Sequence, residues 1–324
     1  MTTRITVIAT GGTVAMTSGP SGLRPSQTAG DLVAGLADAL TDISVTLLDA
    51  MATPSANLGF EHLETLAGLV EQETRRGARG VVIVQGTDTL EETAFALELM
   101  IEGRHSVCLT GAMRGASAPG ADGPANLAAA IRAAASLPPS TGVCVVINDA
   151  VHAARYVAKT HTTATDAFSS HDNGLLGRVH EGRLRLSVDT LPSFGSLGRG
   201  GEGPWPRVAL LRISMDDDDG LIRHVAAGGY EGCVIEAMGA GHVPARLVPA
   251  LGDLCLRMPV VLSSRVGAGR ICERTYGYPG SETDLLGRGL ISAGALSGLK
   301  ARVLLTLCLR SGRRDLFERI SSLI

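Results

Sequence analysis

The chain has 324 residues, of which 45% are hydrophobic and 19% charged, and its formal net charge is −3. That balance belongs to a folded chain of about two domains and excludes a disordered or collagen-like one, although 41 residues are glycine. The mildly acidic charge and an aromatic content of 3% argue against nucleic-acid and anionic-membrane partners, which call for basic surface and stacking rings. No apolar run reaches the ~18 residues of a membrane helix and no secretory leader is visible, so a cytoplasmic location is expected. Cys108, Cys144, Cys233, Cys255, Cys272 and Cys308 are far apart without a C-x-x-C pair, which points to free thiols rather than a zinc or redox site.

Ile5–Ala9 reads as a buried strand that stops at Thr10-Gly11-Gly12-Thr13. Glycines there let the backbone turn sharply and come close to a ligand, with Thr13 just past the carboxyl end of the strand. Residues 18–27, rich in Gly, Ser and Pro, read as a loop, and Thr28 as the N-cap of a helix over 29–40. Ser44–Leu48 is the next strand, 51–59 a polar connection, and Phe60–Arg75 a helix with apolar positions Leu63, Leu66, Ala67 and Val70. Gly80–Val84 is a continuous apolar run, as in a parallel strand covered on both faces. It ends in Gln85-Gly86-Thr87-Asp88-Thr89, and a helix through Met100 follows, with Glu91 and Glu92 in its first turn.

Val107–Thr110 is a strand that runs into the glycine-rich loop 111–123, and Pro124 opens a helix continuing over 125–135. Gly142–Ile147 is a further strand, followed by the less regular stretch 148–180 that carries Lys159. Strand, loop and helix alternate as in a doubly wound sheet. Residues 191–206 (LPSFGSLGRGGEGPWP) break the composition and read as a linker. The fold class is therefore α/β: a larger N-terminal, mainly parallel, doubly wound domain over 1–190 and a smaller C-terminal α/β domain over 207–324. In the latter, 208–212, 233–236 and 260–263 read as strands, and 221–227, 245–257 and 296–309 as helices. The run Asp216–Asp219 reads as a solvated turn.

In a parallel sheet the strand ends project at one edge, so Thr13, Ser55, Asn57, Thr87, Asp88, the loop from Gly111 and Lys159 can converge. A threonine hydroxyl is a poor nucleophile until a base takes its proton; a lysine can be that base and an aspartate can position it. Thr87, Asp88 and Lys159 make such a set, with Thr13 a second hydroxyl across the cleft. The combination suits acyl transfer, with backbone N–H groups of the glycine turns holding the oxyanion. Taken singly, Lys159 reads as a surface charge and Asp88 as a helix cap.

Several segments resemble the bacterial L-asparaginase/glutaminase family: ATGGT at 9–13, QGTDTLEETA at 85–94, TGAMRGASAPGADGPANL at 110–127, INDAV at 147–151 and YVAKTHTT at 156–163. GAGHVP at 239–244, SSRVGAG at 263–269 and LKARVLL at 299–305 extend the resemblance into the second domain. By resemblance, Thr13 matches the family's nucleophilic threonine, and Thr87, Asp88 and Lys159 its threonine, aspartate and lysine. Gly12, Ser55, Thr87 and Asp88 are implied to bind substrate, Ser55 through the α-carboxylate and Asp88 through the α-ammonium group. The resemblance implies hydrolysis of the asparagine side-chain amide through a threonine acyl-enzyme, no metal or organic cofactor, and a homotetramer of close dimers. It further implies that each site is completed by a neighbouring subunit, for which Glu273, Tyr276 and Glu282 are candidates.

Three departures stand out. Ala56 replaces a glutamine that contacts substrate in many members, residues 16–27 contain no tyrosine, and His242 stands where asparagine is common. These leave glutamine or another small amide as a competing substrate. A non-catalytic amino-acid-binding regulator is the reading from another class. Retention of both threonines with Asp88 and Lys159 weighs against it, and T-G-G-T lacks the phosphate-cradling glycine pattern of a nucleotide binder.

Overall fold

The computed structural model describes residues 2–11, 16–19, 22–25, 30, 33, 35–103, 105–188 and 191–324. They form two compact units, Met1–Ser196 and Leu197–Ile324.

The first unit is organised by a sheet whose strands are β1 (Thr3–Ala9), β4 (Ile43–Asp49), β5 (Gly80–Val84), β6 (Ser106–Thr110), β7 (Val143–Ile147), β8 (Ala150–Ala153), β11 (Gly177–His180) and β12 (Arg183–Leu186). Two small pairs lie outside it: β2 (Met16–Gly19) with β3 (Gly22–Pro25), and β9 (Ala158–Lys159) with β10 (Phe168–Ser169). Across the sheet the order is β12-β11-β8-β7-β6-β5-β1-β4. From β4 to β7 every pairing is parallel, whereas β8, β11 and β12 join antiparallel. The parallel strands β5, β6 and β7 are buried along their whole lengths, as continuous Val, Ile and Leu runs require when both faces are covered.

Helix α1 (Phe60–Arg75) buries Leu63, Leu66, Ala67 and Val70, the face expected from its spacing. Helix α2 (Leu90–Met100) is preceded by a 3-10 turn, Thr87–Thr89. Helix α3 (Gly123–Ser136) starts at Asp122-Gly123-Pro124, where the missing proline N–H costs nothing. Its alanines allow a close approach to β5: a Cβ on Gly80 would meet the Ala134 carbonyl at 2.5 Å. Leu127, Ala130, Ile131 and Ala134 thereby join Ile5, Val7, Val82, Val84 and Cys144 in one core.

Two expectations change in this unit. Residues 16–25, read in part as a loop, contain the antiparallel β2–β3 pair with Gly19 opposite Gly22. Residues 20, 21, 26 and 27 of that expected loop lie outside the described residues. Of the helix expected over 29–40, the cap Thr28 and residues 29, 31, 32 and 34 lie outside the described residues, and Ala37–Leu40 form a 3-10 turn.

The second unit has a parallel sheet of β13 (Val208–Arg212), β14 (Gly232–Ala237), β15 (Val260–Ser264) and β16 (Ile291–Ser292). Its helices are α4 (Gly220–Ala227), α5 (Val248–Cys255), α6 (Glu282–Gly287), α7 (Gly298–Arg310) and α8 (Leu316–Ser321). The helix expected over 245–257 is split into a 3-10 turn, Ala245–Leu247, and α5, because Pro249 fits only a first helical turn. The acidic run is a turn: Asp219 pairs with Arg223, Asp216 with Arg246, and Asp217 accepts the Ser214 amide. All six cysteines are free. Burial pushes the thiols of Cys233 and Cys308 up to about 12 and that of Cys255 up to about 11.

Candidate active site

The carboxyl ends of β1, β5 and β6 are stitched together by backbone. Thr10 N donates to Val84 O at 3.0 Å, Gln85 N to Thr110 O at 2.9 Å, and Thr53 N to Thr10 O at 2.9 Å. Gly11 follows with φ +97, and a Cβ there would lie 3.1 Å from the Thr53 amide, so only glycine serves. Gly12 and Thr13 lie outside the described residues.

Beyond β5 the chain enters the Thr87–Thr89 turn, which puts Thr87 and Asp88 at the sheet edge. Lys159 Nζ donates to Thr87 Oγ1 at 2.9 Å and approaches Asp88 Oδ1 at 3.4 Å. Ser55, on the 3-10 turn Ser55–Asn57, donates from Oγ to Asp88 Oδ2 at 3.1 Å and accepts the Asp88 amide at 3.3 Å. Positions 55, 87, 88 and 159, distant in sequence, thus share one cluster. Thr87 is buried, the Lys159 side chain is 19% exposed and the Asp88 side chain 64% exposed. A lysine stem shielded this way, with its amine on a buried hydroxyl, is placed for proton exchange with that hydroxyl. Asp88 keeps an open carboxylate towards solvent, able to take a cationic ligand group.

The cluster rests on supports that the sequence alone did not single out. Thr89 Oγ1 donates to the Ser55 carbonyl at 2.9 Å, and buried Gln85 donates to Thr89 and Thr93 at 3.2 and 3.1 Å. Asn126 donates to Gly111 O at 2.9 Å and accepts the Asn148 amide at 2.8 Å, pinning the glycine loop to the turn after β7. Asp122 accepts the amides of Met113 and Arg114. Polar residues at the ends of apolar strands are the signal that marks them. Ala56 and Asn57 are exposed beside Ser55.

Within the second unit, His242 packs edge-on against Tyr276 with ring centroids 4.7 Å apart, and its Nε2 lies 3.4 Å from Glu282 Oε2. Glu282 is buried, and its Oε1 accepts the amides of Thr275 and Tyr276, both at 2.8 Å. Burial pushes its carboxyl up, but those two amides and the neighbouring His242 outweigh it and hold the group below its ordinary value. Glu273 accepts the Ser292 hydroxyl at the surface.

An open α/β sheet with a lysine-paired threonine at its carboxyl edge stands where such folds carry enzyme sites, and the pair is chemically able to serve acyl transfer. Comparison narrows it. Residues 4–191 match the model of the Asparaginase N-terminal domain, and 207–319 that of the Glutaminase/Asparaginase C-terminal domain. An L-asparaginase of Bacillus licheniformis is 30% identical over 98% of this chain and 99% of its own. A probable L-asparaginase of Deinococcus radiodurans is 34% identical over 95% of this chain and 94% of its own. The crystal structure of a probable cytoplasmic L-asparaginase from Campylobacter jejuni superposes with a TM-score of 0.87 at 31% identity, covering 99% of both chains. The chain belongs to the asparaginase family and is an amidohydrolase.

Proposed function

We propose that this chain hydrolyses L-asparagine to L-aspartate and ammonia, with Thr13, Thr87, Asp88 and Lys159 as its catalytic residues and Gly12 and Ser55 among those that bind substrate. The observation that carries the reading is the Lys159 Nζ to Thr87 Oγ1 contact of 2.9 Å. A threonine oxygen attacks the side-chain amide carbon, and its proton passes to the lysine-side relay. Backbone N–H groups at the strand ends hold the oxyanion. Collapse of the tetrahedral adduct expels ammonia, protonated as it leaves, and water then cleaves the threonyl ester to release aspartate. Thr13 takes the nucleophile's role on the resemblance of ATGGT at 9–13 and on the placement of Gly11 beside Thr53 at the same sheet edge. Ser55 and Asp88, bonded to each other, suit the α-carboxylate and α-ammonium of one small zwitterion.

The reading includes a homotetramer and a cytoplasmic location. No described helix is long and apolar enough to cross a membrane, and the Campylobacter jejuni neighbour carries the name of a probable cytoplasmic enzyme. Ammonia release from L-asparagine, L-glutamine, D-asparagine and β-aspartyl amides, with Thr13→Ala as control, is the test. L-asparagine is expected to give the highest kcat/KM and Thr13→Ala to lose at least about 100-fold in turnover. Preference for another amide, or a Thr13→Ala variant near normal turnover, refutes the assignment it addresses. One methylene separates asparagine from glutamine, so discrimination of about 10–200-fold is the expected range.

A further inference from the structure

Lys159 lies outside the main sheet, on the two-residue strand β9, and its register with β10 places it opposite Phe168. Thr160 N donates to Ala167 O at 2.7 Å, so that neighbouring pair is the hydrogen-bonded one. Bonded and non-bonded pairs alternate along an antiparallel ladder, and the Lys159 amide therefore points away from β10. It donates instead to Glu91 Oε1 at 3.0 Å. Glu91 is only 7% exposed and sits in the first turn of α2. Four positions separate it from Thr87, which puts both on one face of the helical segment that begins at the 3-10 turn. One helix start thus grips one residue twice: the Thr87 hydroxyl takes the amine, and the Glu91 carboxylate takes the amide.

We propose that Glu91 is the positioning residue of the site, tethering the Lys159 backbone so that its amine meets the Thr87 hydroxyl. The proposal rests on the reading of Lys159 as the proton acceptor. A carboxylate inside a protein is costly unless it is well bonded, and placement at a helix N-terminus offsets part of that cost. A charge-assisted bond to the amide is the stronger tether, while a glutamine amide oxygen can accept the same N–H more weakly. Loss of the acceptor frees a two-residue strand to shift, and a displacement of about 1 Å at a catalytic group is worth roughly 100-fold in rate.

Glu91→Leu, Glu91→Gln and Lys159→Arg, made in the full chain, test this through kcat, KM and amide hydrogen exchange at Lys159. In Glu91→Leu the Lys159 amide is expected to exchange at least about tenfold faster, with kcat down about 100-fold and KM within about threefold. Glu91→Gln is expected to restore kcat to within about tenfold of wild type, since the acceptor returns without the charge. Wild-type kcat in Glu91→Leu, a loss confined to KM, or a glutamine variant as impaired as the leucine one overturns the proposal. Where the leucine chain does not fold, Glu91→Asp replaces it, its acceptor withdrawn by one methylene, with the same exchange and kcat criteria. Near-normal turnover in Lys159→Arg refutes the proton-acceptor reading instead, while exchange at residue 159 still reports whether Glu91 holds it.

Discussion

Replacing Lys159 separates catalysis from stability in this site. Its amine contacts one hydroxyl at 2.9 Å and one carboxylate at 3.4 Å, and that carboxylate is 64% exposed. An ion pair so open contributes about 0–1 kcal/mol to folding, and the neutral hydroxyl contact about as much. Lys159→Met keeps the apolar stem and should cost no more than about 1–2 kcal/mol of stability. A positioned proton acceptor contributes about 100- to 10,000-fold to rate, or roughly 3–5 kcal/mol of barrier. Turnover of asparagine, followed as released ammonia, should therefore fall at least about 100-fold while the urea midpoint moves little. Lys159→Arg sharpens the test, since a guanidinium keeps the charge but gives up no proton near neutral pH, and it should be as impaired as the methionine variant. A loss below about tenfold in either variant refutes the assignment of Lys159 as the base.

Ser55→Ala removes both bonds between the Ser55 hydroxyl and Asp88; KM for asparagine should rise about tenfold with kcat changed less, and an unaltered KM in initial-rate measurements counts against Ser55 as a binding residue. Gly111→Ala places a Cβ 2.5 Å from the Gln85 carbonyl and 3.1 Å from Thr87 Cγ2, so it should cost about 1–3 kcal/mol in urea unfolding and lower kcat as well. Glu282 bears on pH: its carboxyl is held below the ordinary 4.5, so its stabilisation is complete above that value and is lost as pH falls through the lower folded-state value. Glu282→Gln should be destabilised at pH 7, with the gap closing below 4.5; a pH-independent gap in urea unfolding contradicts this sign.

The parallel core was legible because its strands carry no competing pattern. GVVIV at 80–84 and the helix 60–75 coincide with the observed β5 and α1, since a short β-branched run opened by glycine is too brief for a helix and the 60–75 stretch keeps a 3.6-residue period throughout. The antiparallel pairs β2–β3, β9–β10 and β11–β12 escaped for the opposite reason: their strands are two to four residues long, too short for a periodic pattern to register. Their pairing is decided by turn geometry and by tertiary contacts that no local period encodes. The short helices α6 and α8 were missed likewise, each only 6 residues long.

At the proposed site, Ser55, Thr87, Asp88 and Lys159 were legible as a set that converges while the residues that hold them were not, and chemistry accounts for the division. Thr87, Asp88 and Lys159, ordinary when taken singly, stand out because hydroxyl, carboxylate and amine recur together at strand-ending turns of one sheet edge and within segments that resemble the family. Gln85, Thr89, Glu91 and Asn126 are equally polar, but their partners are supporting hydroxyls or main-chain groups such as the Ser55 carbonyl and the Lys159 amide. A sequence names side chains and leaves the backbone anonymous, so a residue whose whole task is to satisfy a particular amide has no visible counterpart until the fold supplies it. Buried acceptors of this kind are where substitutions far milder than loss of a nucleophile should still silence the enzyme. Glu91, one side chain removed from the reacting atoms, is the place to measure it.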